Sequence, residues 1–79
     1  MKKHNHVVAI LFTDAKLTNR VGQVMKTPDG KFIPYSKGKR ITAVDGKKVN
    51  PAIKNIKAAE QVVADKRGQV LYSQEYKYA

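Results

Sequence analysis

The sequence predicts an α+β fold: a strongly twisted antiparallel sheet of about five strands, or the closely related small open barrel, with one helix near 51–67 across one face and a C-terminal strand returning to the sheet. Three observations carry this. Residues 6–49 are short β-branched and aromatic stretches divided by turns rich in glycine, proline and aspartate. From residue 52 the apolar residues switch to helical spacing. From residue 69 the chain returns to alternation.

The first element is Val7-Val8-Ala9-Ile10-Leu11-Phe12, apolar without alternation, which suits a central strand buried on both faces. Met1-Lys2-Lys3 ahead of it has the order of a secretory signal, but six apolar residues fall short of the roughly 7–15 of such a signal. They are further short of the roughly 20 that cross a bilayer. A buried strand in a cytoplasmic protein is the expectation, secretion the lesser alternative. Thr13 to Asn19 is polar and reads as a loop. Arg20 to Lys26 is a second strand, in which Gly22 marks a bulge.

Thr27-Pro28-Asp29-Gly30 predicts a turn: proline presets φ, aspartate bonds nearby backbone, and glycine takes the left-handed position. Lys31 to Tyr35 follows as a strand, and Pro34 within it argues for a sheet edge or a strand end. Ser36-Lys37-Gly38-Lys39 is a second turn, Arg40 to Val44 a strand, and Asp45-Gly46 a two-residue hairpin closed by Lys47 to Val49. Asn50-Pro51 predicts the helix start, with Asn50 as N-cap and proline at the first helical position. Ala52, Ile53, Ile56, Ala59, Val62 and Val63 form its apolar stripe, and Gly68 ends it. Gln69 to Tyr78 is the last strand, with Val70, Tyr72, Gln74, Tyr76 and Tyr78 on one parity.

At 79 residues the chain is read as a single domain, 1–79, with few positions spare for a deep pocket and hence no small-molecule substrate expected. It has no cysteine, which excludes disulfides, thiolate nucleophiles and cysteine zinc sites and suits a reducing cytoplasm. Catalytic constellations are missing. Asp14, Asp29 and Asp45 are dispersed, and Gly38-Lys39-Arg40 lacks the upstream glycine and the Ser/Thr of a phosphate-binding loop. His4 and His6 are two ligands where a structural zinc wants four. The expectation is a protein that is not an enzyme, with no metal, no cofactor and no membrane role.

What remains is charge. Sixteen Lys and Arg face six Asp and Glu, a net +10. Residues 16–57 hold eleven basic residues against Asp29 and Asp45, a net +9, while residues 58–79 are balanced. Such an excess favours polyanions. The expected function is that of a small accessory nucleic-acid-binding protein that holds the phosphate backbone of DNA or RNA. Lys31, Lys37, Lys39, Arg40, Lys47, Lys48, Lys54, Lys57 and Tyr35 are the candidate contacts. Lysine outnumbers arginine, which favours unspecific charge over bidentate base reading. The alternative is a protein-binding modulator or inhibitor that docks on an acidic protein surface of a larger machine. Tyr35, Tyr72, Tyr76, Tyr78 and Phe32 can stack on unpaired bases, although cross-strand packing is the commoner use of a strand tyrosine. The chain carries no RNP-type strand, helix-turn-helix pair, GXXG loop or zinc-finger spacing.

Overall fold

The structure, a computed structural model, describes residues 4–76. In chain order its elements are β1 (His6–Phe12), β2 (Arg20–Lys26), β3 (Phe32–Ser36), β4 (Lys39–Arg40), β5 (Ala43–Val44), β6 (Lys47–Lys48), α1 (Ile56–Arg67) and β7 (Tyr72–Glu75). A five-stranded sheet runs in the order β4-β3-β2-β1-β7, every pair antiparallel, and β5-β6 forms a separate hairpin. The α+β fold, its single described helix and its C-terminal strand are those the sequence predicts. As expected, β1 is internal, with a neighbour on each side and Val8, Ala9, Leu11 and Phe12 buried; burial on both faces is not complete, since Val7 and Ile10 are only half-buried.

The β1–β2 ladder slips twice, opposite Val8 on β1 and opposite Val21 on β2. The second slip stands beside Gly22, where the bulge was expected. Gly22 is required for a further reason: a Cβ there would lie 2.7 Å from the Tyr35 carbonyl oxygen and 2.7 Å from Val63 Cγ1. The helix therefore rests directly on the β2 backbone at this point. The β1–β2 loop is organised by Asp14, whose carboxylate accepts from the Thr18 N–H, the Asn19 N–H (2.9 Å) and the Thr18 hydroxyl (2.5 Å). These bonds hold its carboxyl below the usual range, the Thr18 hydroxyl foremost.

Three predicted turns form. Thr27 N–H donates to Lys31 O at 2.8 Å and Gly30 N–H to Thr27 O at 3.0 Å, with Gly30 at φ 88° in the left-handed position of a three-residue hairpin loop. Lys37-Gly38 and Asp45-Gly46 both place two successive residues at positive φ, which matches strand twist in a two-residue hairpin. Pro34 sits in β3, which is internal by strand order. Its carbonyl accepts from Ile41 N–H at 2.9 Å, so its polar edge faces the side where β4 supplies only two residues, and the missing donor leaves no broken ladder.

Three expectations need correction. The last strand, read over residues 69–78, spans only Tyr72–Glu75 within the described residues. The strand predicted over 40–44 is two short ones, because the chain turns inward at Ile41, 5% exposed, and β5 then pairs with β6 rather than continuing the meander. The Asp45-Gly46 turn therefore does not share an end of the main sheet with the Thr27–Gly30 turn. The helix begins at Ile56, not near residue 51. Asn50 Oδ1 accepts from Ala52 N–H at 2.9 Å, which makes a local turn. Ile53 is buried and its carbonyl accepts from Phe32 N–H at 2.8 Å, which commits that backbone to the sheet. The cap is Asn55, with φ −132° and ψ 125°, accepting from Lys57 N–H at 2.8 Å. Gly68 closes the helix at φ 71°, its N–H donating to Ala64 O at 2.8 Å, as expected.

Cross-strand partners share a face. Gly22, Leu11 and Ser73 form one row, Val24, Ala9 and Glu75 another, and both lie under α1. The core gathers there: Val8, Ala9, Leu11, Val24, Ile41, Ile53, Ala59 and Val63. The opposite face carries the alternate rows, Arg40–Tyr35–Gln23–Ile10–Gln74, Arg20–Phe12–Tyr72 and Ile33–Met25–Val7, with Ile33 buried. Among the described elements none packs across it: β5 contacts α1, and Lys66 Nζ donates to Ala43 O at 3.4 Å, which ties the second hairpin to the helix side.

Candidate nucleic-acid interface

The candidate basic residues divide into two groups. Lys31 is paired with Asp29 at 3.4 Å, across the turn they share. Lys57 lies 2.7 Å from Glu75 and 3.8 Å from Glu60, and these carboxylates raise its own pKa. Among the described residues these are the ion pairs, and neither cation is in the second group.

Lys37, Lys39, Arg40, Lys47, Lys48 and Lys54 are exposed, and none is within ion-pair distance of a carboxylate among the described residues. Local geometry brings them to one edge. Lys37 stands on the β3–β4 turn, and Lys39 and Arg40 form the edge strand itself. Two residues later β5 receives β6 as its partner, with Ala43 opposite Lys48 and Val44 opposite Lys47. Arg40 and Lys48 rim one cleft between β3 and the second hairpin. Lys47, Lys48 and Lys54 then border the groove between that hairpin and α1. Asp45 at the hairpin tip lines the same groove, as do Glu60 and Asp65 from α1. Lysine on an edge strand also blocks sheet-to-sheet pairing, so β4 is protected by the same residues.

A cluster between α1 and β7 has other chemistry. Glu60 is 9% exposed and faces Ser73, Glu75 and Lys57. Burial, then the neighbouring Glu75, pushes its carboxyl up to about 7. Glu75 is held below its usual range, by its hydrogen bond with Glu60 first and Lys57 next. Glu60 Oε2 is buried without a hydrogen-bond partner among the described residues. Sequence reading missed Glu60 because it interrupts the apolar stripe, and its buried state comes from β7, distant in the chain.

Tyr35, the remaining candidate, is half-buried on the open face opposite Arg40. The same face holds Tyr72 and Tyr76, named from the sequence as residues able to stack on bases, and Arg20, which was not named as a contact. The parity of β7 signalled the two tyrosines; nothing local signalled Arg20. Tyr78 lies outside the described residues. His4 is exposed, His6 opens β1, and no cluster of three His, Cys, Asp or Glu suited to a metal occurs among the described residues. No described helix is long and apolar enough to cross a membrane.

Compared with protein-family models, with curated proteins and with solved structures, the chain finds no match.

Proposed function

We propose that the protein is a small non-enzymatic accessory protein that binds nucleic acid through its basic edge. The observation that carries the reading is the set of exposed cations Lys37, Lys39, Arg40, Lys47, Lys48 and Lys54, none of them within ion-pair distance of a carboxylate among the described residues. A cation already neutralised by a carboxylate has little to offer a phosphate; these six have their charge available. Each contact releases condensed counterions, so affinity falls steeply with salt and sequence preference is slight. The lack of cysteine fits the reducing cytoplasm, where such a partner is at hand.

The test is direct titration of fluorescently labelled single- and double-stranded DNA and RNA at low salt, read by anisotropy. Binding to at least one form, weakened by Lys47→Ala with Lys48→Ala, is expected. No binding by the wild-type chain to any of the four ends the proposal. Nuclease-resistant capture of a single acidic protein, with no nucleic-acid binding, replaces it with the protein-docking alternative.

A further inference from the structure

The open face of the five-stranded sheet has a composition that a merely solvated face does not need. Tyr35 and Tyr72 belong to its rows, and Tyr76 joins them because its hydroxyl donates to Gln74 Oε1 at 3.2 Å. Every tyrosine among the described residues is thus on this face, and none is under the helix. Tyr72 is 45% exposed and Tyr76 39%. Phe12 and Ile10 fill the space between the tyrosine-bearing strands. Arg40 stands at the β4 side, and Arg20 at the end of β2, where its guanidinium donates to Gln23 Oε1.

Among the described residues no carboxylate joins them. Glu60 and Asp65 are on α1, and Glu75 points to the helix side, where it meets Lys57. Asp14, Asp29 and Asp45 are in turns. Aromatic rings, amides and guanidinium groups without a negative charge match the faces, edges and phosphates of unpaired nucleotides. A duplex hides its base faces and cannot use the rings.

We propose that the open sheet face is a stacking platform for the bases of a single-stranded nucleic acid, with Tyr35, Tyr72 and Tyr76 under the bases and Arg20 and Arg40 at the phosphates. The proposal rests on the reading of the basic edge as a polyanion grip and specifies the strand it holds. Tyr35 on β3 and Tyr72 on β7 are three strand spacings apart, about 14 Å, which is room for several extended nucleotides. Arg40 joins the two surfaces, since it belongs both to the open-face row and to the basic edge.

The chain has four tyrosines and no tryptophan, so its own tyrosine fluorescence reports stacking. Short oligothymidylate and oligouridylate, of about 12 nucleotides, are titrated against a duplex of equal length. Quenching by the single strands and little by the duplex is expected. Tyr72→Ala with Tyr76→Ala is expected to weaken single-strand binding at least tenfold and to leave duplex binding and its salt dependence unchanged. Tyr72→Leu with Tyr76→Leu, which keeps apolar bulk and removes the stacking ring, is expected to do the same, and circular dichroism checks the fold of each variant.

Single-strand affinity unchanged in both double variants, with Lys47→Ala and Lys48→Ala still weakening every form, overturns the platform and leaves the basic edge standing. Wild-type failure to bind any form at low salt overturns both. A dimer in sedimentation that shields the tyrosines from acrylamide without nucleic acid gives the face to a second copy and also overturns the platform.

Discussion

Two residues do work that their types alone do not announce. Gly22 has no need of positive φ; it is glycine because α1 and β3 close over it, leaving 2.7 Å to a backbone oxygen and to Val63 Cγ1. Gly22→Ala is expected to cost about 1–3 kcal/mol in urea unfolding, since a backbone oxygen cannot rotate away. An unchanged midpoint would show that the helix is not seated there. Glu60 is the second. Its native pKa, about 7, lies above its ordinary 4.5, so between those values the folded chain holds a proton that the unfolded chain releases. Its stabilising contribution is full below about pH 4.5, declines as pH rises and is lost above about 7. Urea midpoints of the wild type are expected to fall between pH 5 and pH 8, with a flatter profile in Glu60→Gln, whose amide imitates the protonated acid toward Glu75. Identical profiles would mean that another group titrates in that window. Asp14 and Asp29, held low by hydrogen bonds, affect only a more acidic range.

At the scale of elements, two asparagines compete for the start of α1. Both precede helix-compatible residues, and Asn50-Pro51 has the stronger local signature. The winner is set by Phe32, distant in sequence, whose N–H takes the Ile53 carbonyl and so prevents the helix from reaching back. Asn55→Ala is expected to cost about 1 kcal/mol, and Asn50→Ala clearly less, in thermal or urea unfolding. The reverse order would place the cap at residue 50 after all. What local chemistry decides was legible: the glycine-containing turns at Gly30, Gly38 and Gly46, the helix stop at Gly68, the central place of β1, and the alternation of β7. What a remote partner decides was not. The turn inward at Ile41 broke one predicted strand into two, and Pro34 is tolerated inside the sheet because its polar edge meets a neighbour only two residues long.

Across the whole molecule the candidate cations are of two kinds: Lys31 and Lys57 sit against carboxylates, while Lys37, Lys39, Arg40, Lys47, Lys48 and Lys54 have none within ion-pair distance among the described residues. The excess in residues 16–57 was legible by counting. Counting could not separate the cations engaged by carboxylates, Lys31 and Lys57, from those left free, because Glu75 meets Lys57 only through the β1–β7 pairing. Nor could it find Arg20 on the tyrosine face, which depends on the register of β2 against β1. The most direct measurement is the slope of log affinity for duplex DNA against log salt. It is made for the wild type, for Lys39→Ala/Lys47→Ala/Lys48→Ala and for Lys16→Ala/Lys26→Ala/Lys31→Ala, two variants of equal charge. The edge variant is expected to lose about 0.9 from the slope for each phosphate contact removed, and the second variant little. Equal losses in both would show that net charge alone attracts the polyanion, and would contradict a defined basic edge.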